Sequence, residues 1–286
     1  MEAFPIGEDV ELVQELLGLD SRALSADLGI SRMTLNRWAK EPERASREKL
    51  ETFYGYAFNK GIRLNEIHAQ LFVEEARERG LTPLFHGSKQ GIEGPLSLEK
   101  SRSDNDFGRG FYCGESFSQA AMFVARFPSS VCYFAAFDER GLAKKEFRVD
   151  SGWMLAVALF RGKLGGREDH EILRAVNAEV EAADYIVAPI ADNRMFQVID
   201  SFIEGEITDE QCKHGLSATG LGSQYVLKSV ASLLGLVKLQ PHFLCSEEKS
   251  VYLEAQRNRM QLGGDKVKAA KRKYRARGRY IEEFLP

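Results

Sequence analysis

Two short stretches carry residue types that chemistry needs. Phe85-His86-Gly87-Ser88 sets a histidine on a strand-like segment, and Asp106-Phe107-Gly108-Arg109-Gly110-Phe111-Tyr112 sets a tyrosine behind a glycine-rich turn. Glycine lacks the Cβ that keeps ligands off the main chain. The pair therefore suits a flat polar ligand that slides against bare backbone and is covered by an aromatic ring. Each residue also has a plainer explanation: a lone histidine is commonly a satisfied core or surface residue, and a strand tyrosine is commonly half-buried. Asp106-Phe107-Gly108 matches the metal-binding triplet of protein kinases. The chain has no His-Arg-Asp catalytic loop and no glycine-rich loop leading into a Val-Ala-Ile-Lys strand, so that reading fails.

Other polar groups are weaker candidates. Asp192-Asn193-Arg194 reads either as a helix cap beside a solvent-facing arginine or as a bidentate anion donor at Arg194. Glu204 and Glu206 flank Gly205 at an expected helix end and read as surface. Asp169-His170-Glu171 has metal-ligand types, but three consecutive residues cannot converge on one ion from a helix or strand. Cys113, Cys132, Cys212 and Cys245 form no Cys-x-x-Cys pair, so neither a disulfide framework nor a zinc site is expected, and no metal is assigned.

These residues need a scaffold. Residues 1–80 read as helices. Val10, Leu12, Val13, Leu16 and Leu17 recur at helical spacing, and further helices are predicted near 46–60 and 63–79. Within this segment, Ser21–Trp38 reads as a helix, a Gly29 turn and a second helix capped by Ser31. Ala23 and Ala26 are expected to let the two helices approach, with Leu28, Ile30, Leu35 and Trp38 as their core. Gly80-Leu81-Thr82-Pro83 marks a boundary. Strands are predicted at Leu84–Ser88, Gly110–Cys113, Val131–Phe137, Tyr185–Ala188, Gln224–Leu227 and Leu236–Leu244. Helices are predicted at Ser116–Arg126 (Ala120, Ala121, Phe123 and Val124 inward), 192–204 and 208–215. Short strands mixed with helices, without regular βαβ spacing, give the α+β class. The division is 1–80 helical, 81–246 mixed, and 247–286 a basic helical tail broken at Gly263-Gly264.

The mixed region resembles the NAD-binding core of the ADP-ribosyltransferase superfamily. There a His-Gly-Ser/Thr strand precedes a Phe-Gly-x-Gly-x-Tyr strand, as at 86–88 and 106–112. Pro189-Ile190-Ala191-Asp192-Asn193-Arg194-Met195-Phe196 and Gln224-Tyr225-Val226 extend the likeness to a bacterial branch often encoded as toxins beside an antitoxin. The resemblance implies a split β-sheet domain with NAD as substrate. It makes His86 the donor to a ribose hydroxyl, Gly87 the backbone partner of the carboxamide, and Ser88 their support. Tyr112, delivered by the turn through Gly108 and Gly110, would stack on the nicotinamide. Ser118 and Gln119 would lie near the pocket, Arg194 would reach the pyrophosphate, and Gln224 takes the place of the usual glutamate. His86, Tyr112 and Gln224 are then the catalytic set. Gln224 carries no charge and is no useful base, so mono-ADP-ribosylation is expected rather than chain elongation.

Ser21–Trp38 is similar to the helix-turn-helix of Xre-like repressors, which implies DNA contact through Arg32, Thr34, Asn36 and Arg37. The alternative is a protein-contact module, favoured by the acidic balance of residues 1–80, with 11 basic and 15 acidic side chains. Arg257–Arg279 is the reverse, with ten Lys/Arg and one acid, Asp265; it is a better nucleic-acid candidate than the helix-turn-helix, the alternative being a solvated helix face. No signal peptide and no membrane partner are expected, and a cytoplasmic setting follows. Two functions stand: a toxin-like transferase with its own targeting or autoregulatory helical domain, or a transcriptional regulator that senses NAD or a related nucleotide without turnover.

Overall fold

The computed structural model describes residues 4–191, 193–217, 222–275 and 277–286. Five helices open the chain: α1 (Ile6–Leu17), α2 (Ser21–Leu28), α3 (Arg32–Trp38), α4 (Arg47–Asn59) and α5 (Leu64–Glu78). Then follow β1 (Thr82–Ser88), β2 (Phe111–Gly114), α6 (Phe117–Val124), β3 (Val131–Phe137), β4 (Lys144–Glu146), α7 (Ser151–Phe160) and α8 (Glu171–Glu181). The order ends with β5 (Tyr185–Pro189), α9 (Asn193–Ile203), α10 (Asp209–Ser217), β6 (Ser223–Leu227), α11 (Val230–Leu234), β7 (Leu236–Phe243) and α12 (Ser246–Lys273). The chain is α+β, as its irregular alternation implied. No described helix is long and apolar enough to cross a membrane.

Local chemistry sets the helix ends. Asp20 caps α2 by accepting from the N–H groups of Arg22 and Ala23 at 2.9 and 2.7 Å. Gly29 ends α2 at φ +64°, a left-handed conformation that glycine adopts without strain. Ser31 then caps α3 through the Thr34 N–H. Leu24, Leu28, Ile30, Leu35 and Trp38 are buried here. Two inward expectations are corrected: Ala26 and Phe123 face solvent, as does Leu16 of the periodic set, while Leu24 is fully buried in the core of the opening helices.

The chain packs as two compact units built from interleaved segments. The first comprises Met1–Gly94, Ser116–Asp138 and Leu236–Ala255. In it β3 pairs antiparallel with both β1 and β7, His86 lying opposite Tyr133 and Cys132 opposite His242. Phe243 and Cys245 complete the core of the opening helices around Trp38 and Phe53. The second unit comprises Pro95–Glu115, Glu139–Gly235 and Gln256–Pro286. There β5 runs parallel to β4 and antiparallel to β6, which pairs antiparallel with β2. Its core gathers Phe107, Trp153, Ile186, Phe202 and Val226. Residue 80 marks a change of element type, from α5 to β1, while packing follows the interleaved segments.

The expected break at Gly263-Gly264 is absent: α12 is one helix of 28 residues. Each glycine costs a helix about 1 kcal/mol relative to alanine. Burial of Gly263, Val267 and Ala270, with Val267 in the second unit's core, offsets that cost.

The first unit also buries a carboxylic acid. Glu248 is 5% exposed, and its Oε2 accepts from Asn65 Nδ2 at 2.7 Å. Burial pushes its carboxyl up to about 8; Glu66 adds to the shift, while Asn65, Arg63 and Lys249 oppose it. His68 is half-buried, which by itself lowers its pKa. The hydrogen bond and charge of Asp9, 2.8 Å from His68 Nε2, outweigh burial and raise it. Both groups bind protons more tightly folded than unfolded. Their contribution is therefore complete below the unfolded values and declines as pH rises towards 8. Urea unfolding is expected to show falling stability from pH 5 to 9. Glu248→Gln, which keeps the acceptor for Asn65, should flatten most of that fall and exceed the wild type by about 3 kcal/mol at pH 9. An unflattened profile would exclude Glu248 as its source.

Candidate functional site

The turn leading into β2 is tied by several side chains. Gly108 takes φ +70°, so the Asp106–Gly110 segment reverses without strain. Lys228, at the end of β6, donates to the carbonyls of Phe107 and Arg109 at 2.8 and 3.1 Å. Arg109 donates to the carbonyls of Glu99 and Ser101. The Tyr112 hydroxyl donates to the Gly108 carbonyl at 2.7 Å and accepts from the Phe107 N–H at 3.1 Å. Burial pushes that hydroxyl well above the ordinary tyrosine range, so it stays protonated. Its ring packs at the edge of the core, and the two bonds fix where that ring stands.

Asp106 anchors this turn. It is 5% exposed and pairs with Arg161, which follows α7; Arg161 Nε donates to Oδ1 at 2.9 Å and Nη2 bonds the same oxygen. Arg161 Nη2 also reaches the Ala191 carbonyl at 3.1 Å, and the guanidinium lies 4.0 Å over the Phe196 ring. The second carboxylate oxygen of Asp106 accepts from Gln224 Nε2 at 2.8 Å, and Nε2 also donates to the Pro189 carbonyl at 3.0 Å. Gln224 is 7% exposed, so its amide has one orientation, and among the described residues its Oε1 takes no hydrogen bond. A glutamate here would set a second carboxylate against Asp106, and one of the two would have to hold a proton. That repulsion is a physical reason for glutamine at this position.

The remaining expected site residues in the first unit sit on β1 and α6. The His86 ring is tilted against Tyr133, with centroids 6.2 Å apart. Ser88 donates to the Gly91 carbonyl at 2.7 Å. A Cβ on Gly87 would stand 2.7 Å from the Ala120 carbonyl oxygen and 2.8 Å from Val124 Cγ1, so this glycine lets α6 close on β1. Gly110 is similar in the second unit, where a Cβ would meet Val226 Cγ1 at 2.6 Å. Packing accounts for both glycines, and the space expected for ligand approach on their Cβ sides is filled. Ser118 lies with its hydroxyl 3.2 Å from that of Ser116, while Gln119 closes the capping box of α6. Arg194 is the second residue of α9; its side chain, like residue Asp192, lies outside the described residues.

On α3, Arg32, Asn36 and Arg37 are exposed, whereas Thr34 is half-buried with its hydroxyl 2.9 Å from that of Ser31. The surface readings hold: Glu204 and Glu206 are exposed, and His170 caps α8 by accepting from the Ile172 N–H. The four cysteines are free and buried. Sequence reasoning assigned no role to Asp106, Arg161 or Lys228. The only local signal for the latter two is a lone cation directly after an apolar run, Trp153–Phe160 and Tyr225–Leu227.

A family model described as protein of unknown function (DUF3990) matches residues 82–238, from β1 into β7. No curated protein and no solved structure matches the chain.

The Asp106–Gln224 pair predicts a thermodynamic cycle. Gln224→Glu alone should cost about 2–4 kcal/mol in urea unfolding at pH 7. Adding Asp106→Asn exchanges the two roles: the new amide's oxygen would accept from Arg161, and its nitrogen would donate to the new carboxylate on β6. The double variant should regain about half of the loss, the bond to Pro189 staying broken. Strict additivity would show that the two side chains do not interact.

Proposed function

The chain belongs to the DUF3990 family, and from the chemistry of its 82–238 region we propose that it is a mono-ADP-ribosyltransferase using NAD to modify a macromolecular acceptor. The reading rests on the motif likeness at 86–88, 106–112, 189–196 and 224–226. The observation that carries it is the fixed amide of Gln224. With its nitrogen committed to Asp106 and Pro189, Oε1 is left to accept from a ribose hydroxyl. His86 would donate to the ribose and the Tyr112 ring would cover the nicotinamide. The bond from ribose C1′ to nicotinamide breaks, and nicotinamide leaves with the bonding pair. The acceptor nucleophile bonds to the oxocarbenium-like C1′ and gives up its proton to water. A glutamine hydrogen-bonds and orients but does not abstract a proton, so the acceptor must be nucleophilic without activation. The helical segment around α2 and α3 would serve targeting or autoregulation, as in a toxin held by an antitoxin.

The second reading is a regulator that senses NAD without turnover and contacts DNA through α3. The pairing of Asp106 with Arg161 favours it, because that carboxylate is not available to act as a base.

Incubation with NAD labelled on its adenosine half, together with protein, RNA and DNA fractions of a lysate, separates the two. Label transfer is expected from the wild type and lost in His86→Ala and Tyr112→Ala. Gln224→Ala should reduce it tens to thousands of fold. Tyr112→Phe keeps the ring and loses only the bonds to the turn, so it should retain transfer within about tenfold. Binding of NAD without nicotinamide release would establish the sensor, and absence of binding would reject both readings.

A further inference from the structure

Charge is strongly segregated along this chain. Of its 39 Lys/Arg and 42 Asp/Glu, ten and one fall between Arg257 and Arg279, which leaves 29 and 41 elsewhere. An excess of acid thus surrounds a short, intensely basic segment, yet the cations are not spent on it. Lys266 apart, none of the ten enters an ion pair among the described residues.

The second unit holds this segment by its backbone and apolar residues instead. Gln211 Nε2 donates to the Lys271 carbonyl at 2.7 Å, and the Thr208 hydroxyl bonds the Arg277 carbonyl. Asp209 accepts from the Arg279 N–H at 2.7 Å, so that carboxylate satisfies main chain rather than a cationic side chain. Val267, Ile281 and Leu285 are in the core. What remains outside is charge: Arg257, Arg259, Lys268, Arg272, Lys273 and Arg275 are all exposed.

We propose that the exposed face of the second half of α12 and the tail after it is a docking surface for the phosphodiester backbone of a nucleic acid. At about 1.5 Å per helical residue, Arg257 to Lys273 spans about 24 Å, the length of about seven steps of one strand at 3.4 Å. Tyr280, 44% exposed beside Arg279, adds an aromatic face on which a base can stack. The surface suits phosphate better than a lipid bilayer. A membrane-bound basic helix buries its apolar face among acyl chains, and here that face is already in the protein core. Met260 and Leu262 are the large apolar side chains exposed on this half of α12 among the described residues.

The test is titration of the full chain, without NAD, into fluorescently labelled single-stranded RNA, single-stranded DNA and duplex DNA across a salt series, with anionic vesicles in parallel. Binding that weakens with salt is expected, its log–log slope reporting the phosphates engaged at about 0.7 each for single strands and 0.9 for duplex. The variant Lys268→Gln, Arg272→Gln, Lys273→Gln, Arg275→Gln should bind at least tenfold more weakly at about 0.1 M salt, with a single-strand slope shallower by about three. Its unfolding midpoint should be unchanged, which separates loss of the surface from loss of fold. Equal binding of RNA and DNA would show backbone recognition alone, and preference for one would name the source. Vesicle binding without nucleic-acid binding, or an unaltered slope in the variant, would overturn the proposal.

Discussion

A carboxylate buried at Asp106 is the constraint around which the second unit's site is arranged. A lone charge of that kind is too costly to keep in a protein interior, so partners must be brought to it. They come from distant parts of the chain: Arg161 after α7, Gln224 on β6, and through Gln224 the carbonyl of Pro189 on β5. Each partner then has a second task. Arg161 holds the Ala191 carbonyl and covers Phe196, so the loop opening α9 is tied to the same charge. The turn that presents Tyr112 is anchored at its first residue, which bonds both Arg161 and Gln224.

The same constraint sets what position 224 can be. This chain has a neutral amide there, and the reason lies in its neighbour. With one oxygen of Asp106 paired to Arg161, its second oxygen takes a donor, and glutamine supplies one while leaving an acceptor on its own oxygen. A neutral amide at this position can orient a bound group but cannot abstract a proton.

Much of the fold was legible where a local rule decides the structure. β3 runs over the seven predicted residues because an unbroken apolar run between polar turns is buried on both faces, and the helix caps at Ser31 and Ser116 follow from hydroxyl chemistry. α7 left no such trace. Its sequence from Ser151 to Phe160 is apolar nearly all round, so no period separates a buried helix from a buried strand. The glycine pair in α12 misled because propensity is a weak force beside tertiary packing. Among the candidate residues, His86, Tyr112 and Gln224 are singled out by motif. Arg161 and Lys228 did not, since their partners stand 55 and 121 residues away and a long-range ion pair or carbonyl clamp has no sequence pattern.

The two site glycines carry a lesson for reading relatives of this chain. At Gly87 the missing Cβ leaves room for α6, and at Gly110 it leaves room for Val226. Selection for folding alone would hold both positions, even in a descendant that had lost all affinity for a ligand. Invariance at these two residues therefore measures the tightness of a packing joint, and a degenerate, inactive copy of the gene would keep them as faithfully as a working one.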